Sequence, residues 1–187
     1  MNMLLSVSIS RLVWRFGMDK TFELLSNAGF DAFDIYFSKS KGVPFPEEAD
    51  LFSTASKLQE LMQKTGVVCA QTHANCRIRE NDEYSLGNPH FAEVVSTIKA
   101  TAIVGAKYVV VHPFRHEDGS DEVEHLIEFY RALLPYAKKY GIKIATENLF
   151  RAAQNPEKMN RLLHGVDDES FVLCFDTGHA SVVGIPP

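Results

Sequence analysis

The strongest constraint on the fold of this chain is an alternation. Along its 187 residues, short runs rich in Val, Ile, Phe and Cys recur, and between them the apolar residues switch from strand-like to helical spacing. Residues 3–9, 32–37, 67–73, 108–112, 143–147 and 171–176 read as strands. They are close to continuously apolar, as expected when both faces of a sheet are covered. Between them, Met18, Phe22, Leu25 and Ala28 mark one helical face that ends at Gly29. Leu51, Ala55, Leu58, Leu61 and Met62 mark a second, ending at Gly66. Phe91, Val94, Val95, Ile98, Ala102 and Ile103 mark a third, ending near Gly105. Val123, Leu126, Ile127, Tyr130, Leu133 and Leu134 mark a fourth, ending at Gly141, with Pro135 expected to bend it or mark its last turns. A fifth helix is expected from Asn155-Pro156-Glu157, a cap, a first-turn proline and a first-turn acid.

The order is a βα unit repeated five times, followed by a sixth strand. Each unit takes about 35 residues, which suits a strand, a crossover helix and two loops. Residues 1–187 read as one domain with no linker or low-complexity segment. Two α/β architectures fit this pattern, an open doubly wound sheet and a (β/α)8 barrel. A doubly wound dinucleotide binder carries a Gly-x-Gly-x-x-Gly turn after its first strand. Here that turn is Ser8-Ile9-Ser10-Arg11-Leu12, and no phosphate-cradling Gly-x-x-x-x-Gly-Lys occurs. Polar residues instead gather at the C-terminal ends of successive strands: His73, His112, Glu147, Asp176 and His179. Barrel enzymes carry their chemistry at those ends. The barrel is favoured.

Composition then narrows the function. A net charge of −5 gives no support for a nucleic-acid partner, which wants a basic surface. The three cysteines, Cys69, Cys76 and Cys174, are odd in number and form no Cys-x-x-Cys. That argues against a disulfide framework and for a reducing, cytoplasmic setting. The first ten residues lack a signal-peptide pattern, and the apolar runs are too short to span a membrane.

A carboxylate ending an apolar strand is costly to bury unless a cation or a donor meets it. Glu147 and Asp176, on neighbouring strands, would also repel each other. One divalent ion resolves both problems, and mixed carboxylate and imidazole ligands leave Mn, Zn, Co and Mg open. Gly178 permits a sharp turn after Asp176 that aims His179 at the same cavity. His73 and His112 are further candidates for the cavity, although histidines at strand ends also serve as core residues. Trp14 and Phe16, in the loop after the first strand, would form an apolar wall over the cavity. Asp34, inside the second strand, is a weaker candidate for the cavity. His116, Glu117 and Asp118 read as a solvated loop, Arg151 as a surface residue, and Cys69 and Cys174 as packing residues.

Several segments carry a family likeness: Gly29-Phe30-Asp31-Ala32, Val111-His112-Pro113, Ala145-Thr146-Glu147-Asn148 and Asp176-Thr177-Gly178-His179. To these can be added Leu134-Pro135-Tyr136-Ala137 with its Gly141-Ile142 exit. In this order they resemble the xylose-isomerase-like superfamily of TIM barrels, the sugar phosphate isomerases and epimerases that share a fold with endonuclease IV. The resemblance implies one divalent metal held by side chains from strands five to eight, with Glu147 as the first ligand and Asp176 as the second. It implies isomerisation or epimerisation of a small sugar or sugar phosphate by proton transfer beside a carbonyl, through an enediolate. Glu147 would serve as a base, His179 would steady the substrate oxygens, and His73 and His112 would line the mouth as substrate-binding residues that hold hydroxyls or a phosphate. The ligands of strands seven and eight have no counterpart before Pro187. A whole barrel runs to roughly 250 residues, so a TIM barrel truncated after about six strands is expected. An endonuclease-IV-like zinc phosphodiesterase is the alternative. A further alternative is a non-catalytic partial barrel, forming a homo-oligomer that covers its open edge.

Overall fold

The computed structural model describes residues 3–37, 51–114, 123–149 and 154–184. Within them run β1 (Ser6–Ser8), α1 (Ser10–Phe16), α2 (Met18–Ala28), β2 (Ala32–Phe37), α3 (Leu51–Thr65) and β3 (Val68–Ala74). These are followed by α4 (Pro89–Val104), β4 (Tyr108–Val110), α5 (Glu124–Tyr140), β5 (Lys143–Glu147), α6 (Pro156–Val166), β6 (Phe171–Cys174) and α7 (Thr177–Val182).

All the strand pairings are parallel, and the sheet order is β1-β2-β3-β4-β5-β6. This order decides between the two architectures. A doubly wound sheet reverses its strand order at a switch point, and this sheet never reverses. Each strand lies beside its predecessor, as in a TIM-barrel-like fold with its crossover helices on the outside. Among the described residues no helix is long and apolar enough to cross a membrane.

Two apolar clusters fasten helices to the outer face of the sheet. Phe22, Leu25, Phe33, Ile35, Leu58 and Val104 belong to the first, which spans α2, β2, α3 and α4. Phe91, Ile98, Val109, Phe129, Tyr130, Leu133 and Ile144 belong to the second, which spans α4, β4, α5 and β5. Side-chain hydroxyls tie helices to strands on this face. Thr72 of β3 meets Thr101 of α4 at 2.6 Å between hydroxyl oxygens. The fully buried Tyr130 of α5 donates to Val111 O at 2.8 Å and lies 2.9 Å from Thr146 Oγ1.

Local signals explain most of the helix ends. Asn88 caps α4 by accepting from the backbone N–H groups of His90 and Phe91, and Asn155 caps α6 by accepting from Lys158 N. Pro135 lies inside α5, which nonetheless continues to Tyr140. Two expectations require correction. The stretch taken as the first loop, with Trp14 and Phe16, is the helix α1. Its N-cap is Ile9, which makes no side-chain cap bond, so the usual start signal is missing. The chain after Asp176 is also helical rather than a bare turn, with Asp176 as its cap. His116, Glu117, Asp118 and Arg151 lie outside the described residues.

Candidate metal and substrate site

Strand register places the polar residues on one face. Asp34 pairs with Gln71, Tyr36 with His73, His73 with Val110, Val110 with Ala145, and Glu147 with Cys174. Paired residues share a face, and alternate residues along a strand return to it. Asp34, Tyr36, Gln71, His73, Glu147 and Cys174 therefore look inward, while Thr72 and Thr146 look out to the helices. A contact between β3 and β6 agrees with this assignment: Cys174 Sγ lies 4.0 Å from Gln71 Oε1. His112, two residues past β4, follows the same alternation.

Glu147 is the centre of the inward cluster. Its side chain is only 7% exposed, and three imidazoles surround it. His112 Nε2 is 2.7 Å from Oε2, His73 Nε2 is 3.9 Å from the same oxygen, and His179 Nδ1 is 3.1 Å from Oε1. Despite this proximity, Glu147 Oε2, His179 Nδ1 and His73 Nδ1 are buried and make no hydrogen bond. The 2.7 and 3.1 Å separations are those of hydrogen bonds but the directions are not, and 3.9 Å is too long for one. Lone pairs and ring nitrogens converge on shared space rather than on one another. A buried carboxylate left in that condition costs several kcal/mol, by order of magnitude, unless something else engages it.

Asp176 approaches from the other side. As the cap of α7 it accepts the His179 backbone N–H at Oδ1, at 2.8 Å. That bond is the main reason its carboxyl stays below the usual carboxylate range, with the His179 ring and the Gly178 N–H adding to it. At neutral pH it is ionised and can act as a ligand. Glu147, Asp176 and His179 offer ligand atoms that all lie within 4.8 Å of one another, and so do His73, His112 and Glu147. Two carboxylates and an imidazole around orphaned buried atoms fit a divalent cation. Glu147 belongs to both groups, with Oε1 nearest His179 and Oε2 nearest His112 and His73.

The sequence matches the model of the xylose isomerase-like TIM barrel family over residues 22–186. The chain belongs to that family. Its solved neighbours in the xylose isomerase-like group are distant in sequence and alike in fold. One is an IolI protein with a bound zinc atom, at 19% identity and TM-score 0.73, matching 97% of this chain and 66% of its own. Another is an AP endonuclease, family 2, from Brucella melitensis, at 13% identity and TM-score 0.73, with coverages of 97% and 72%. A D-tagatose 3-epimerase-like protein matches at 23% identity and TM-score 0.72, with coverages of 97% and 68%. The chain also spans 28% of a fusion of a xylose isomerase-like TIM barrel with 4-hydroxyphenylpyruvate dioxygenase, at 15% identity and TM-score 0.75 over 98% of its own length. No curated protein matches the sequence.

Of the residues expected at this family's site, the structure brings together Glu147, Asp176, His179, His73 and His112. Trp14 lies on α1 and is 58% exposed. Asp34 proves to be part of the cluster, with Oδ2 2.8 Å from His73 Nδ1 and accepting from Gln71 Nε2 at 2.9 Å. Tyr36 was not anticipated. Its ring stacks on His73 at 5.8 Å between centroids and lies 6.3 Å from that of His112. The period-two pattern of β2 held the signal, since Asp34 and Tyr36 alternate with Phe33, Ile35 and Phe37. Cys174 also faces inward, but burial and the neighbouring charges of Glu147 and Asp34 push its thiol up. It remains a neutral thiol in the metal-free protein.

Proposed function

We propose that the protein is a metal-dependent isomerase or epimerase of a small sugar or sugar phosphate, acting by proton transfer beside a carbonyl. The observation that carries this reading is the convergence of Glu147, Asp176 and His179 around buried atoms that make no hydrogen bond. Glu147 and Asp176 would hold one divalent ion, Mn, Zn, Co or Mg, with further ligands from outside this set. When bound, that ion supplies a Lewis acid that stabilises negative charge developing on adjacent substrate oxygens. Glu147 presents two differently placed oxygens, one toward His179 and one toward His112. One can face the cation while the other accepts the proton from substrate carbon. His179 steadies the substrate oxygens by hydrogen bonding. His73 and His112, with Tyr36 against both rings, bind substrate hydroxyls at the mouth. Trp14 is the candidate for an apolar wall above them.

Solved neighbours named as sugar epimerases support this reading. Because the chain spans 66% of the IolI neighbour and 28% of the fusion protein, the test belongs to the full-length protein. With Mn²⁺ or Co²⁺ it should exchange a substrate C–H for solvent deuterium with at least one member of a panel of ketoses and ketose phosphates. No exchange across the panel counts decisively against an isomerase. We place the protein in the cytoplasm, in keeping with its three free thiols.

A second reading has a specific observation behind it. His73, His112 and Glu147 form a second group of ligand-competent atoms, as a zinc phosphodiesterase with several ions would need. Metal counting separates the two: one tightly bound ion favours the isomerase, and two or more favour the phosphodiesterase.

A further inference from the structure

Backbone pairing between β5 and β6 ends at Glu147 and Cys174. Beyond it a single side chain continues the ladder. Asn148 Oδ1 accepts the Asp176 backbone N–H at 2.6 Å, and Asn148 Nδ2 donates to Asp176 O at 2.8 Å. Both main-chain polar groups of one candidate ligand are thus held by the residue next to the other. Asn148 is 5% exposed, so these two bonds are its main exchange for lost water. The carboxyl of Asp176 is fixed separately, by accepting from His179 N.

Only an amide at this reach satisfies both groups. Aspartate has no N–H to offer the Asp176 carbonyl, serine is too short to span both atoms, and glutamine carries an extra methylene. We infer that Asn148 is a positioning residue whose side-chain clamp on Asp176 sets the separation of the Glu147 and Asp176 carboxylates, and so sets divalent-cation affinity. The inference rests on the metal reading above. It adds that the geometry of the ligand pair is held by an amide that touches neither the cation nor the substrate. Groups that orient ligands in this way commonly alter metal affinity by about 10–100-fold when removed.

The test measures Mn²⁺ affinity by calorimetry alongside Tm in chelator, on the full chain and three variants. Asn148→Ala removes both bonds, and Asn148→Asp keeps the acceptor while losing the donor. Asn155→Ala removes the cap bond of α6 and serves as a control for general destabilisation. Asn148→Ala should bind Mn²⁺ at least tenfold more weakly, with a changed Mn²⁺ EPR line shape, and Asn148→Asp should fall between it and the parent. Asn155→Ala should lose Tm and keep the parent affinity. Parent-like affinity in Asn148→Ala would overturn the inference while leaving the metal reading intact. So would equal weakening in Asn155→Ala. Should Asn148→Ala fail to fold, Asn148→Asp decides, and parent-like binding there overturns it. A parent that binds no Mn²⁺ removes the metal reading and this inference together.

Discussion

Replacing Glu147 by glutamine should separate its role as a ligand from any role in holding the fold. The change is nearly isosteric, so packing around this almost fully buried side chain is preserved. In the metal-free protein the carboxylate keeps an oxygen that makes no hydrogen bond, and an unsatisfied buried polar group costs about 1–3 kcal/mol. Glu147→Gln exchanges that charge for a neutral amide. At pH 8 in chelator it should therefore lie within about 1 kcal/mol of the parent, or be more stable. Adding Mn²⁺ at a hundred times its Kd should stabilise the parent by about 2.7 kcal/mol. For a chain of this size that corresponds to a rise of about 5–10 °C in Tm. The variant should show little or none of that rise, so the order of stability reverses or widens when metal is added. Differential scanning calorimetry with and without Mn²⁺ reads both effects. An equal metal-induced shift in the variant would refute the assignment. So would a metal-free loss above about 3 kcal/mol, the size expected from breaking a well-made buried pair.

Further predictions concern the scaffold. Tyr130→Phe deletes a hydroxyl that contacts both Val111 O and Thr146 Oγ1, and should cost about 1–3 kcal/mol in urea denaturation; a loss under about 0.3 kcal/mol would discount that bridge. Asp168 sits 2.5 Å from Lys138 Nζ and accepts from Ser170 N, and its carboxyl is held below the usual range chiefly by Lys138. A carboxyl lowered on folding stabilises above its unfolded pKa and loses that contribution as pH falls through the folded value. Asp168→Asn should therefore lose up to about 1 kcal/mol at pH 7, discounted for the half-exposed lysine, and the gap should close in acid below the ordinary carboxylate range. A gap that is constant from pH 7 to pH 2.5 would contradict it. Burial pushes the Cys69 thiol up to about 12, so it should resist alkylation by iodoacetamide at pH 8 in the native state and react once the chain is unfolded; rapid labelling of the native protein would show that its surroundings are misjudged.

The sequence made β2 and β5 legible to the residue and set the other strands within a few positions, because continuous β-branched and aromatic runs leave little choice of structure. At Asp176 the strand stops early because the Asn148 side chain takes over its main-chain pairing and the residue becomes a helix cap. The helix α1 was hidden because Ile9 supplies no capping side chain and the apolar residues from Leu12 to Phe16 show no clean period. Glu147 and Asp176 stood out because charge at the end of an apolar strand demands a partner. Asn148 and Tyr36 did not, since their importance lies in contacts to Asp176 and to the histidine rings, which only register and three-dimensional placement create. Asp34 was visible only as a possibility for a similar reason: the register shift between Phe33 and Asp34 determines that it meets Gln71 and His73.

The central claim is that the carboxylates of positions 147 and 176 share a cation. Crystals of the full-length protein grown with Mn²⁺ or Zn²⁺ and measured at the metal absorption edge would test it directly. The account predicts an anomalous peak about 2.0–2.2 Å from a carboxylate oxygen of each residue, with His179 beside it. A peak that touches neither carboxylate, or two carboxylates turned apart with no peak between them, would contradict it.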